Sequence, residues 1–253
     1  MLRVDGFVCG WMTMEKRYLL DNESGSIRIP VYSILIRHPA GSIVFDTGLH
    51  PDLIADPVNP LRPIEMYQQV HMAAGEDLAS RLQSVDVDPT SIRQVINSHL
   101  HFDHCGANTQ LPNARVVLQR REWDAAQDER GRELAYAVRH WEDAQPRLLI
   151  DGEHDIFGDG SVRCIPTYGH SHGHQSLLVK TSQGEMLFAA DACYLCQSLE
   201  KLQGPDPLAH ADGEAAHRTL QWIHRQWERG VRIFPGHEPA MWDNAEGGHR
   251  VLA

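Results

Sequence analysis

Apolar residues fall in short β-branched runs over much of the chain and take helical spacing in only a few places. Ile27-Arg-Ile-Pro-Val-Tyr-Ser-Ile-Leu-Ile36, the turn His38-Pro-Ala-Gly41 and Ser42-Ile-Val-Phe-Asp-Thr-Gly48 predict a hairpin. Strands are predicted over 93–97, 114–118, 162–165 and 231–234, and a second hairpin joins 176–179 to 186–189 through Ser182-Gln-Gly184. Leu78, Leu82 and Val85 predict a short helix that Asp88-Pro89 ends. Trp123, Leu134, Tyr136, Val138 and Trp141 predict helix over 121–145, with a weak point at Gly131. Asp212 is the expected N-cap of a helix with the buried stripe Ala216, Leu220, Ile223 and Trp227, closed by Gly230. Residues 50–75 carry Pro51, Pro57, Pro60 and Pro63 without a sustained period, and with Met66 and Tyr67 they read as a lid or pocket segment.

Composition narrows the partners. A chain of 253 residues, 42% hydrophobic, is long enough for one large α/β domain or two small ones. Its net charge of −11 sets it against phosphate backbones and anionic lipid, which disfavours nucleic acid and membrane as partners. The first twenty residues interleave charge with apolar residues and show no leader pattern, and no apolar run approaches the ~20 residues of a membrane span, so a cytoplasmic protein is expected. Five cysteines fit reduced thiols better than a disulfide framework, and Cys193-Tyr-Leu-Cys196 is a lone CxxC with no second pair to make it a metal or redox site.

The 16 histidines are where the chemistry gathers, because several cluster beside acidic residues and glycine turns. In Ser98-His99-Leu100-His101-Phe102-Asp103-His104-Cys105-Gly106, side chains two apart at a strand end share a side, so His99 and His101 can hold one metal. A turn at Gly106 would let Asp103 and His104 diverge toward a second. Three further candidates stand after predicted strands: His170, Asp191 and His237. Completing the count puts His170 with His99 and His101, His237 with Asp103 and His104, and Asp191 between the two metals. Imidazole and carboxylate together suit zinc first, with manganese, iron or cobalt as alternatives.

This order of motifs resembles the metallo-β-lactamase fold family, from Phe45-Asp-Thr-Gly48 to His237. The resemblance implies an α/β fold, a four-layer αβ/βα sandwich of two mixed sheets with outer helices, formed as a single domain over 1–253. It implies two divalent metal ions per chain on the seven ligands above, and a homodimer. Asp46 resembles a carboxylate that orients a ligand histidine; capping of its own turn is the other reading.

Within the family, the Asp191 position is similar to the lactonase, glyoxalase II and nuclease branches and unlike the β-lactamases. Glyoxalase II is expected to carry a C-terminal helical extension, whereas 16 residues follow His237 here, and the nucleases need a basic surface. HLHFDHCG at 99–106, GHSHGH at 169–174 and Asp191-Ala-Cys-Tyr194 resemble the N-acyl-homoserine lactonases, quorum-quenching hydrolases that open a lactone ring. The resemblance implies that Tyr194 hydrogen-bonds the substrate carbonyl oxygen, that Asp103 is both ligand and proton donor, and that Phe102 contacts the acyl chain or ring. Tyr194 and Phe102 can also be read as core aromatics. Pyridoxolactone, aryl-ester and organophosphate hydrolases share much of this pattern, and an iron-dependent persulfide dioxygenase would share it only if Asp103 and His104 were not ligands. Two departures are Thr167-Tyr-Gly-His170, where relatives often have Pro before the Gly, and Gly236-His-Glu-Pro239, where a His-Asp pair is expected.

Overall fold

The computed structural model describes residues 2–56, 67–127, 145–243 and 245–253. Among these, the first strands are β1 (Arg3–Glu15), β2 (Ser26–His38), β3 (Gly41–Phe45) and β4 (Tyr67–His71), and helix α1 (Leu78–Gln83) leads to β5 (Gln94–Ile96). Helix α2 (Phe102–Cys105), β6 (Arg115–Gln119), α3 (Arg120–Gln127) and β7 (Arg147–Ile150) follow. The chain closes with β8 (His154–Asp155), β9 (Val162–Pro166), β10 (Gln175–Thr181), β11 (Gly184–Ala190), α4 (Cys196–Lys201), α5 (Gly213–Glu228), β12 (Arg232–Pro235) and β13 (His249–Val251).

Two mixed sheets result, in the order β13-β1-β2-β3-β5-β6-β7, with β4 also on β1, and β12-β11-β10-β9-β8. The parallel pairs are β3/β5, β5/β6 and β6/β7 in the first sheet and β11/β12 in the second. Alternation along the strands explains the layers. Ile34 and Ile36 of β2 enter the core between the sheets, together with Phe45, Ile96, Val117, Leu177, Val179 and Phe188. Their neighbour Leu35 points to the other face, where Val44, Val95, Val116 and Leu118 meet Leu78, Leu82 and Ala126. On the second sheet Leu187, Ala189 and Ile233 pack against Leu220 and Ile223 of α5. Both faces of each sheet are therefore covered, which is why these strands read as nearly continuous apolar runs. The arrangement is the expected αβ/βα sandwich.

The predicted hairpins, the strands at 93–97, 114–118, 162–165 and 231–234, and the helix capped by Asp212 all form, within a residue or two at their ends. Two expectations change, a further strand forms, and one helix is described only in part. Strand β1 escapes the hydrophobic pattern because Asp5 lies fully buried within it, satisfied by Arg3, Arg37 and His249 at 2.8, 3.0 and 2.9 Å. The 50–75 segment is not wholly irregular: a 3-10 turn spans Pro51–Ile54, β4 pairs with β1, and residues 57–66, Met66 included, lie outside the described residues. The 121–145 helix is described as far as Gln127, so Leu134, Tyr136, Val138, Trp141 and Gly131 also lie outside. Trp227 is 44% exposed, because the stripe of α5 leaves the sheet one turn after Ile223.

Candidate metal centre

The candidate ligands and the supporting Asp46 all come from connections that leave the carboxyl ends of strands at one edge of the sandwich: Asp46 after β3, His99 to His104 after β5, His170 after β9, Asp191 after β11 and His237 after β12. Burying such loops requires close backbone approach. A Cβ at Gly106 would collide with the carbonyl oxygens of Phe102 and Gly48, and one at Gly236 would press on Ala190 and Asp191 at 2.7–2.9 Å. Asp46 and Ala190, each at a strand end beside the site, hold φ of 53° and 46°, a conformation that is costly outside glycine and is concentrated at functional sites. The divergence of Asp103 and His104 from His99 and His101 arises at the first turn of α2, not at Gly106 as the sequence suggested.

The side chains converge as two sets. His99, His101, His170 and Asp191 form one and Asp103, His104 and His237 the other. His170 Nε2 lies 3.2 Å from His99 Nε2, 3.1 Å from His101 Nδ1 and 3.3 Å from Asp191 Oδ2. Across the site, Asp191 Oδ1 is 3.2 Å from both His104 Nε2 and His237 Nε2, and Asp103 Oδ2 is 3.5 and 3.7 Å from the same two nitrogens. Asp191 thus turns one oxygen to each set. Tetrahedral ligands ~2.0–2.1 Å from a metal stand roughly 3.3 Å apart, so these separations suit a divalent ion.

Hydrogen bonding behind the ligands decides which nitrogen faces inward. Asp46 Oδ2 accepts from His104 Nδ1 at 2.8 Å and from Ser98 Oγ at 2.7 Å. Because Ser98 Oγ donates to Asp46, it accepts from His99 Nδ1 at 2.9 Å. His237 Nδ1 donates to the Pro30 carbonyl at 2.9 Å, and His170 Nδ1 meets the Tyr194 hydroxyl at 2.7 Å. Each of these four rings is left with Nε2 as its inward atom, the arrangement a metal site requires. His104 Nε2 and Asp191 Oδ1 are both buried without a hydrogen-bond partner despite their 3.2 Å approach. Two buried lone pairs aimed at a common point are costly unless a cation lies between them. The residues present therefore fit a pair of divalent metal ions.

Titration behaviour agrees. Burial, with the neighbouring imidazoles, holds His99 well below the usual histidine range, and burial pushes His101 down to about 4 and His170 well down, so all three keep lone pairs for a metal. Burial alone would raise Asp191, but His104, His237 and His170 hold it well below the carboxylate range. His104 and His237 are raised because Asp191 and Asp103 outweigh their burial. Divalent ions would take the place of those protons. Burial raises the Asp103 carboxyl.

Tyr194 lies beside the ligands, its ring stacked 6.2 Å from that of His237. With His170, Asp191, His210 and Leu220 it lines a cleft of about 150 Å³, partly open to solvent. Phe102, the first residue of α2, is not among the lining residues of this cleft and is fully buried in the core that α1 also covers. Asp46 takes the ligand-orienting role. Tyr168 of the departing Thr-Tyr-Gly-His motif bonds Gln119 at 3.1 Å, while Gly169 at φ 133° keeps the close approach to α5. Glu238 of the second departure accepts from the Cys196 amide at 2.8 Å and so ties the His237 loop to the start of α4.

Two site residues escaped the sequence reading. Glu122 is fully buried, and its carboxylate accepts from the Leu100 amide at 3.0 Å, Ser171 Oγ at 2.7 Å and the Gly173 amide at 2.8 Å, joining the His99 and His170 loops. His174 is fully buried 5.1 Å from the His99 ring. Ser176 Oγ donates to the Ala189 carbonyl, so it accepts from Thr167, which in turn accepts from His174 Nδ1 at 2.8 Å. Signals for either were confined to their acidic or imidazole side chains next to the motifs.

Known proteins resemble this chain over most of its length. An N-acyl homoserine lactonase AttM of Azorhizobium caulinodans is 30% identical over 225 residues, covering 85% of this chain and 84% of the relative. The corresponding protein of Rhizobium johnstonii is 32% identical, with 85% and 84% covered. A solved N-acyl homoserine lactone hydrolase with N-hexanoyl-L-homoserine at its catalytic metal center superposes with a TM-score of 0.84 at 25% identity, covering 99% of this chain and 97% of that one. The profile of the metallo-beta-lactamase superfamily matches residues 27–237, and the chain belongs to that superfamily.

Proposed function

We propose that this chain is a two-metal hydrolase that opens the lactone ring of N-acyl homoserine lactones, acting as a single domain over residues 1–253. The substrate class follows from its similarity to the lactonases above. The observation on this chain that carries the mechanism is the division of Asp191, one oxygen toward His99 and His170 and the other toward His104 and His237. In this reading His99, His101 and His170 hold one ion, Asp103, His104 and His237 the other, and Asp191 joins them. When bound, such a pair supplies a water ionised near neutral pH and Lewis-acid polarisation of the carbonyl.

The chain's own groups do the rest. His170 Nδ1–H donates to the Tyr194 oxygen, and a phenol that accepts there can give its own proton to the lactone carbonyl oxygen as negative charge develops. The ring oxygen leaves as an alkoxide and needs a proton, which Asp103, a buried carboxyl raised by its surroundings, is placed to return. The product is an open-chain hydroxy acid, and each turnover releases one proton to neutral solution. Zinc is the first choice of metal for this donor set. Five free cysteines are in keeping with a reducing cytoplasmic setting, and no described helix is long and apolar enough to cross a membrane. The homodimer implied by the resemblance is read by the mass of the protein in solution. The grouping of Asp103 and His104 with His237 favours this reading over a single-iron dioxygenase. Proton release by the zinc-loaded protein on N-hexanoyl homoserine lactone tests the activity; release no faster than spontaneous opening contradicts it.

A further inference from the structure

Ser33 is fully buried within the continuous buried run of β2, and the mechanism above does not use it. A hydroxyl in such a place costs stability unless it is bonded. Its Oγ donates to the Asp46 carbonyl oxygen at 2.6 Å. The strand register brings the two together: Ile34 pairs with Phe45, the last residue of β3, so Ser33 stands opposite the first residue past the strand end. On the far side of β3 the Asp46 amide donates to the Ile96 carbonyl of β5 at 2.9 Å. Between these two bonds Asp46 holds a φ of 53°, which persists outside glycine only where its surroundings fix it. The Asp46 carboxylate then reaches one histidine of each metal-binding set, His104 directly and His99 through Ser98 Oγ. Three residues before Ser33, the Pro30 carbonyl accepts from His237 Nδ1 at 2.9 Å, so the same stretch of β2 backs a third candidate ligand.

We infer that Ser33 is a positioning residue of the metal centre, whose hydrogen bond holds Asp46 in the left-handed conformation that aims its carboxylate at His104 and Ser98. The inference rests on the two-metal reading proposed above. With the Asp46 amide fixed on Ile96, the direction of the carbonyl separates the left-handed conformation from the extended one, and the side chain turns with it. Ser33 stabilises one of the two. It touches neither a candidate ligand nor the cleft, so its effect on metal binding passes through Asp46.

A double-mutant cycle on zinc affinity, read by competition with a chromogenic chelator, tests this. Ser33→Ala in the otherwise wild-type chain should weaken zinc binding ~10-fold, the size of one lost buried hydrogen bond. In Asp46→Asn, where the carboxylate is already gone, the same change should cost less than ~2-fold, because residues that act through one another do not add. A merely structural role would lower the affinity by the same factor in both backgrounds or leave both unchanged. Ser33→Cys keeps the shape and a weak donor, so its affinity should fall between those of wild type and Ser33→Ala, and it carries the cycle where the Ala variant folds poorly. Equal losses in the two backgrounds, or wild-type affinity in the Ser33 variant, overturn this inference alone. Fewer than two zinc ions on the wild-type chain overturn the two-metal reading and this inference with it. Two ions without lactone hydrolysis overturn the proposed reaction and leave the cycle to decide the part played by Ser33.

Discussion

Asp46 fixes the orientation of His104: its Oδ2 accepts from His104 Nδ1 at 2.8 Å, which leaves Nε2 pointing at Asp191 Oδ1 3.2 Å away. The same carboxylate accepts from the Ser98 amide at 2.7 Å, so one buried residue sets the start of the motif and its last histidine together. Asp46→Asn replaces one acceptor with a donor that faces N–H or O–H groups. Metal affinity of the Asp103/His104/His237 set should fall ~10–100-fold. Competition with a chromogenic chelator reads this directly, and wild-type affinity would remove Asp46 from the support of that set.

On the proposed mechanism, Tyr194→Phe removes the proton offered to the lactone carbonyl but leaves the ring stacked on His237. One such donor is worth ~2.7–4 kcal/mol, so kcat should fall by about two to three orders of magnitude with metal content retained. An unaltered kcat would take Tyr194 out of the mechanism.

Glu122 holds three donors on two ligand loops without touching the proposed metals. Glu122→Ala leaves those donors buried, at ~1–3 kcal/mol apiece where water does not enter. We expect a loss of about 3 kcal/mol or more in urea unfolding, with metal affinity reduced because His99 and His170 lose their common anchor. A stability change under about 0.5 kcal/mol would contradict that role.

His174 provides a pH signature separate from the ligands. Burial pushes its pKa down to about 3, against 6.5 for an ordinary histidine. The folded state then binds fewer protons than the unfolded state between these values. This contribution to stability is full above pH 6.5 and is lost as the solution is acidified toward pH 3. From pH 7 to 5 the loss amounts to about 2 kcal/mol. Urea titrations at the two pH values should show His174→Gln losing less on acidification than wild type; an identical loss would mean that His174 does not carry the effect.

What could be read before the fold was known divides by range. The strands alternate between cores, as Leu35 does against Ile34 and Ile36, so short apolar runs marked them without reference to partners. The side chains that converge at the candidate site were legible because His99 to His104 sit within one loop and His170, Asp191 and His237 each follow a strand. Asp5, Glu122 and His174 were not, because their meaning lies in partners far along the chain: Asp5 with His249, Glu122 with Leu100 and Ser171, His174 with Thr167 and the His99 ring. A buried carboxylate looks like a surface one until its donors are known. Phe102 was left with two readings, and its burial in the core is the packing one.

The central claim is that Asp191 joins two metal-binding sets. Elemental analysis of purified wild-type and Asp191→Asn protein, each equilibrated with zinc and freed of excess, tests it most directly. The account predicts about two zinc ions per wild-type chain, with loss of at least one ion and of lactone hydrolysis in the variant. Two ions and full activity in Asp191→Asn, or a wild-type protein that works equally well after exhaustive chelation, would contradict it.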